Sequence, residues 1–395
     1  MTIKIHPDIV PLESRIIETR RDIHKHPELS FQEFRTAELV AERLSSLGIA
    51  VKTGVGKTGV VGDLSGGSAG PTVALRADMD ALPMQETSGL PFASIHEGVM
   101  HACGHDGHTA MLLGVAEALA KRRESIQGNV RFIFQPAEEG FAGARFMVED
   151  GAVEGVDEIY GAHLWNYQSF GTIGVRPGPV MAASDKFEIS IEGIGGHGAC
   201  PQGTVDPIVV SAHLICALQT IVSRNTNPLE STVVSVGMIE GGTNFNIISD
   251  TVHLKGTARA YTEQNRTLIK ERMANIIDGI AKTFGAKIQF DYQDGYPPTI
   301  NASEPALHLL HAAKRVVGDS AAGEPYLSMG GEDFSYFAQV VPGCYFFIGS
   351  APQDREPMSV PHHCSHFDID ERALGVGASV FVRVIEERLI AEKSP

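Results

Sequence analysis

The sequence predicts an α/β protein: a mostly parallel sheet covered on both faces, interrupted by an inserted α+β unit. Three observations carry this. Strand-like apolar runs alternate with helical periodicity early in the chain and again at its end, as parallel strands joined by crossover helices require. In between, the order becomes β-α-β-β-α-β, the split ferredoxin-like arrangement. And 395 residues exceed what one core usually serves, since about 150 residues make a typical domain. The expected organisation is therefore one domain built from 1–183 and 296–395, with a second at 184–295.

The elements follow in order. Ile9, Ile16, Ile17 and Ile23 recur at helical spacing over 8–26, with Arg and Glu on the other face. A second helix covers 31–47 and stops at Gly48. Gly-rich turns separate two strands, GVVGDL and TVALRAD at 72–78. Asp106 is the expected N-cap of a long helix through HTAMLLGVAEALAKRR. NVRFIFQ at 129–135 and EIYGAH at 158–163 read as buried strands. In the insertion, KFEISIEG at 186–193 alternates like a half-exposed strand. A helix at 206–224, strands STVVSVGMIE and TVHLKGTARA, helix 263–284 and strand AKIQFDY complete it. Helix 304–317, strand CYFFIG at 344–349 and helix 371–393 then resume the first pattern.

Composition excludes some functions. The formal net charge is −16 and the longest basic run is Lys121-Arg122-Arg123, the solvated end of a helix. Such a surface repels phosphate backbones, so nucleic acid is not an expected partner. No unbroken run of 18 apolar residues occurs, and the first residues lack the apolar stretch of a signal peptide, so the expectation is a cytoplasmic protein with no membrane span. Cys103, Cys200, Cys216, Cys344 and Cys364 are odd in number and show no disulfide spacing. Cys216 and Cys344 read as small buried apolar residues.

Polar groups gather just past strand ends: Asp78 and Asp80, then Glu138 and Glu139, then His163. In open α/β sheets ligands bind beyond the carboxyl ends of strands. HACGHDGH at 101–108 is the densest cluster. Cys103 and His105 lie two apart and can face one way in an extended loop, and thiolate, imidazole and carboxylate form a ligand set for a divalent transition metal. His101 and His108 read instead as residues capping the next helix. Tandem glutamates are commonly two surface charges. After an apolar strand and Gln135-Pro136, however, Glu138 and Glu139 can divide labour, one binding metal and the other taking a proton from water. PHHCSHFDID at 361–370 offers one more ligand among His362, His363 and His366. There is no G-x-S-x-G, Walker or H-E-x-x-H motif, and GGSAG and GGTNFN do not join a strand to a helix.

Nine strings stand in a fixed order: RRDIHKHPELSFQE (20–33), RADMDALPM (76–84), HACGHDGH, FQPAEEG (134–140), GGHGACP (195–201), GGTNFNIISD (241–250), GTARAY (256–261), MGGEDFSYF (329–337) and HHCSHFDID (362–370). Together they resemble the metal-dependent amidohydrolases that include hippurate hydrolase, N-acyl-amino-acid aminoacylases and plant auxin-conjugate hydrolases. The likeness spans essentially the whole chain. It implies a metallopeptidase-like catalytic domain with two divalent metal ions per subunit (Zn or Mn, then Co or Ni) and an inserted lid that forms a homodimer or higher oligomer. By motif position the ligands would be Cys103, His105, Glu139, His163 and His363, with Glu138 as general base and Asp80 orienting the site. His363 is selected because the family's last ligand precedes two residues and then a variable-aromatic pair, here His366-Phe367. Cys364-Ser365 departs from the proline that relatives often carry there. His197 would steady the oxyanion in a neighbouring subunit's site, and Asn246, Arg259 and Gly330 would contact substrate. The plainer readings are a turn residue for His197 and a cross-strand ion pair for Arg259.

The implied activity is hydrolysis of N-acyl amino acids to a carboxylic acid and a free amino acid. A dipeptidase or carboxypeptidase on the same scaffold is the alternative. A catalytically silent binding relative is disfavoured because every implied ligand and Glu138 are present.

Overall fold

In the computed structural model, which describes residues 3–353 and 355–390, the chain divides into two units. The first comprises the chain up to Gly178, Ile300–Tyr326 and the chain from Asp333 onward, and the second Pro179–Thr299 with Leu327–Glu332. The second unit is wider than the expected 184–295 and includes a return segment at 327–332. That segment has no periodicity, so nothing in it announces which core it joins.

The first unit is built on an eight-stranded sheet in the order Ala50–Val55, Gly59–Ser65, Gln127–Gln135, Ser68–Asp78, Glu158–Ser169, Gly343–Ala351, Ile173–Gly174, Ala322–Gly323. The central neighbours run parallel, while the two strands at the start of that order pair antiparallel. Ala50–Val55 escaped the sequence reading because AVKTGV, mostly exposed, has no apolar run to betray it. Register aligns the site: Asp78 pairs with Gln135, and Arg76 pairs with Gly161, two residues before His163. The strand Glu158–Ser169 runs on past His163, so that histidine lies within the strand and not beyond it.

The helix His105–Ala120 packs against Glu13–Lys25 and Arg372–Leu389 and against the sheet strands. Its N-cap is Gly104 at φ 91°, not Asp106, because a left-handed residue is needed to turn the 101–104 loop into the helix. Gly107 lets the first turn sit against the sheet, since a Cβ there would lie 2.5 Å from a Leu164 methyl.

The second unit has an antiparallel sheet in the order Thr232–Gly241, Thr251–Ala260, Ala183–Glu192, Lys287–Tyr296. Helices Pro207–Thr220 and Glu263–Phe284 pack on it through Val210, Leu214, Leu218, Ile269, Met273 and Ile277. The first of these ends at Thr220 and continues as one wide turn, Ile221–Asn225. Cys344 is buried as expected, but Cys216 is exposed. By length and composition Pro207–Asn225 would suffice to cross a membrane, and a third of it is buried in the fold. A search for unbroken apolar runs passes over it, because Ser211, His213, Gln219, Thr220 and Arg224 interrupt it.

Candidate metal centre

In the first unit, donor atoms of Cys103, His105 and His163 lie within 4.8 Å of one another, as do those of Cys103, Glu139 and His363 and those of His105, Glu138 and Glu139. The shared members join these groups into one cluster. Cys103 Sγ is 3.5 Å from His163 Nε2, and Glu139 Oε1 is 3.1 Å from His363 Nε2. Thus all five expected ligands and Glu138 come together: Glu138 and Glu139 from just past the strand Gln127–Gln135, His163 from within Glu158–Ser169, His105 from a helix start, and Cys103 and His363 from loops.

The imidazoles are set for metal by their other nitrogens. His105 Nδ1 donates to the Asp80 carbonyl at 2.9 Å, and His163 Nδ1 donates to the Leu164 carbonyl at 2.7 Å. A carbonyl can only accept, so Nδ1 carries a proton and each Nε2 is the nitrogen left to bind a cation once it is unprotonated, the arrangement metal-bound histidines adopt. His105 Nε2 is buried and makes no well-formed hydrogen bond, its nearest carboxylate oxygen being Asp78 Oδ2 at 3.5 Å, and Glu139 Oε1 has only the His363 ring beside it. Buried polar atoms are rarely left so, and a cation held here would supply the missing partner.

The electrostatics agree. Burial, then the carboxylates of Glu139 and Glu138, hold the Cys103 thiol well above its ordinary pKa. Burial would lower His105, but Asp78 and Asp80 overcome it and push its pKa up to about 10. The protein alone thus gathers negative charge and compensates it with protons. Two divalent cations would replace those protons and release the thiolate and neutral imidazole as ligands.

Near the C-terminus the structure separates three candidate histidines. His362 is half-buried, and its Nε2 donates to the Leu164 carbonyl at 2.8 Å. His363 sits in the left-handed region at φ 61°, its N–H donating to the Ala102 carbonyl at 2.8 Å, which places its ring at Glu139. A non-glycine residue is held there only when its surroundings over-determine it.

Asp80 orients the glutamate pair. Its carboxylate accepts from Glu138 N at 3.1 Å, Glu139 N at 3.0 Å and the Ser30 hydroxyl at 2.7 Å. Burial alone would raise its pKa, but the hydrogen bond and charge of His105 and the Glu139 N–H lower it. His108 does not cap the helix. Its Nδ1 donates to Asp78 at 2.6 Å and its Nε2 accepts from Leu164 N at 2.9 Å, so both nitrogens are engaged. His101 is no cap either: it is buried with neither ring nitrogen hydrogen-bonded, and burial lowers its pKa to about 4.

Sequence reasoning missed a support network. Asp106 is fully buried and accepts from Arg20 Nε at 2.7 Å and His24 Nδ1 at 2.8 Å. Arg76 binds Asp78 and Asp333, and Gln135 binds Asp333. One signal was available: Arg20 and His24 fall on the apolar stripe of their helix with Ile16 and Ile23, where a charge demands a buried partner.

The four remaining candidates belong to the second unit. His197 pairs with Ile247 in a two-residue ladder, and Gly198 N donates to the Asn246 carbonyl at 2.9 Å, so His197 and Asn246 are neighbours. His197 Nδ1 also accepts from Ala199 N at 3.1 Å, as a turn residue does. Arg259 Nε donates to the Thr257 hydroxyl at 3.0 Å. The cross-strand ion pair considered for Arg259 is not among the ion pairs of the described residues; Asp185 is bound at 2.6 Å by Arg266 of the helix Glu263–Phe284. Gly330 takes its place through its carbonyl, which accepts from Ala182 N.

The family model described as peptidase family M20/M25/M40 matches residues 74–387. An N-acetyl-L-cysteine deacetylase of Bacillus subtilis is 43% identical over 383 residues, covering 96% of this chain and 89% of the relative. Thermostable carboxypeptidase 2 of Saccharolobus solfataricus is 44% identical over 382 residues, covering 95% of each. Among solved structures, a dinuclear metal-binding peptidase of the M20 family from Bacillus subtilis superimposes with a TM-score of 0.83 at 37% identity, over 95% of this chain and 97% of that one. A match of this extent, on a chain whose cysteine, histidines and carboxylates converge as described, establishes that it belongs to peptidase family M20/M25/M40 and is a metal-dependent amidohydrolase.

Proposed function

We propose that the protein hydrolyses the amide bond of N-acyl amino acids, with two divalent cations held by Cys103, His105, Glu139, His163 and His363. The supporting observation is the pair of histidines whose Nδ1 atoms are committed to carbonyls, so that Nε2 of each is the donor beside Cys103. Bound cations would polarise the scissile carbonyl and acidify the attacking water. The mixed sulfur, nitrogen and oxygen donors fit a divalent transition metal, Zn or Mn first and Co or Ni next.

Glu138 takes the water proton on its carboxylate and returns it to the leaving amine. Asp80 keeps that carboxylate in place by holding the two backbone N–H groups of the glutamate pair. His197 steadies the oxyanion, Arg259 binds the free carboxylate of the amino-acid half, and Asn246 and Gly330 contact the substrate.

The same constellation can cleave a peptide's terminal amide, and the archaeal carboxypeptidase at 44% identity favours that second reading. A panel of N-acetyl, N-benzoyl and indole-acetyl amino acids, set beside dipeptides and longer peptides, separates the two. Each assay is run on apo protein reloaded with Zn, Mn, Co or Ni, and free amine is measured. Turnover of the acyl amino acids supports the first reading; turnover confined to peptides replaces it with the second.

The assembly we propose is a homodimer through the second unit. There Ile208, Val209, Met238, Ile239, Phe245 and Ile247 are all exposed, and Thr232–Gly241 is an edge strand of its sheet. Exposed apolar residues beside an open edge are covered most simply by the same surface of a twin.

A further inference from the structure

Glu33 closes the string RRDIHKHPELSFQE, which the proposed reaction leaves without a role, and it is completely buried. Its Oε1 accepts from Phe31 N and from Ala137 N, both at 2.9 Å, and its Oε2 accepts from the Thr58 hydroxyl. Each partner sits at or beside a strained backbone position. Phe31 has φ 61°, Ala137 has φ 53°, and Lys57, just before Thr58, has φ 82°. Left-handed backbone is unfavourable for a residue with a Cβ, so three unfavourable turns converge on one carboxylate. Lys57 Nζ lies 3.7 Å from the centre of the Phe31 ring and covers the cluster.

Ala137 is the residue before Glu138. Its N–H goes to Glu33, and the next two N–H groups go to Asp80. The two buried carboxylates therefore hold three consecutive amides. The same N-terminal segment also holds Asp80: the Ser30 hydroxyl donates to its carboxylate, and Ala81 N donates to the Glu28 carbonyl at 2.8 Å. Burial pushes the Glu33 pKa up to about 7, but Oε1 can accept the Ala137 N–H whether or not Oε2 carries a proton, and that buried bond offsets the left-handed turn at Ala137.

We infer that Glu33 is a positioning residue: it fixes the Ala137 turn and thereby aims Glu138 and Glu139 at the metal-donor cluster. This rests on the general-base role proposed for Glu138. Glu33 itself touches neither substrate nor donor cluster. It acts through the backbone, and its substitution changes turnover more than substrate binding.

The test compares Glu33→Gln and Glu33→Ala with the wild type. One measurement is hydrogen exchange at the amides of Ala137, Glu138 and Glu139; the other is kcat, KM and bound metal. Exchange should accelerate about tenfold or more in Glu33→Ala, the loss of a buried hydrogen bond. Glu33→Gln should be affected less, because its amide oxygen can still accept from Ala137. The turnover number should fall in the same order, by up to about a hundredfold for misplaced groups, with KM and metal content near wild type. Unchanged exchange, or accelerated exchange with wild-type kcat, overturns the inference. If Glu33→Ala does not fold, Glu33→Gln decides by the same two readings. If the wild type does not cleave N-acyl amino acids, the reaction proposed above fails, and exchange alone still decides whether Glu33 holds the turn.

Discussion

Helices His105–Ala120 and Pro207–Thr220 are both rich in apolar residues, yet the two units use them in opposite ways. In the first, 14 of 16 residues are buried, polar ones included. In the second, five of 14 are buried, and Ile208 and Val209 are exposed. The first helix is enclosed by the sheet and two other helices, so even His105, Asp106 and His108 must find partners inside. The second lies on one face of its unit's sheet, and its outer residues are exposed. Equal apolarity therefore serves different ends: an interior that fixes the donor groups, and an exposed face on which the proposed dimer would form.

Truncation breaks or sharpens that contrast most strongly. Leu112→Ala, in the enclosed helix, should cost about 2–5 kcal/mol of stability, whereas Ile208→Ala should change the stability of the isolated chain by no more than about 0.5 kcal/mol. Denaturant unfolding at protein concentrations below dimer formation measures both. Equal losses would mean that the outer face of Pro207–Thr220 is covered within one chain.

Next come one residue from each unit. Glu138→Gln should keep its metal while turnover falls about a hundredfold or more, and His197→Ala should lose a comparable factor if it serves the oxyanion. Mixing the two inactive proteins under subunit exchange should restore part of the activity, since a mixed dimer can set an intact Glu138 site against an intact His197. No recovery in a verified mixed dimer would mean that each His197 serves its own chain, and would end the shared-site reading.

The smallest effect is on acid stability. In the first unit, burial works against Glu386, but hydrogen bonds from His6 and Arg122 bring its pKa down to about 2. Asp106 is likewise held below the usual carboxylate range: burial opposes this, but Arg20 and His24 prevail. A carboxylate with a lowered folded pKa contributes stability above its unfolded value, which is lost as pH falls towards the folded value. Trp165, the chain's single tryptophan, is buried in this unit, so its fluorescence reports the unit directly. Its unfolding midpoint in urea should fall steadily from about pH 5 towards pH 2. Substituting Glu386→Gln should flatten part of that slope. A slope unchanged by the substitution would remove the His6–Glu386–Arg122 cluster from the account.

Much of the site was legible in the chain order. Cys103, His105, Glu138, Glu139 and His163 stand out because a strand end or a turn places reactive groups where apolar periodicity stops. Among His362, His363 and His366, composition alone could not choose. The choice depends on a left-handed turn at His363 and on a hydrogen bond from His362 to Leu164, a partner 198 residues away. His108 was misread for the same reason, since its partners Asp78 and Leu164 lie on other strands.

The sequence by itself determined the alternation of strands and helices, the inserted β-α-β-β-α-β order and the types of donor at the strand ends. These depend on local periodicity and on residue chemistry, which neighbours along the chain already express. Tertiary structure decided which nitrogen of each histidine is free, which loop Glu33 holds, and that Leu327–Glu332 returns to the second unit. Each of these depends on a hydrogen bond or a packing contact between segments distant in sequence, where the identity of one residue says nothing of its partner.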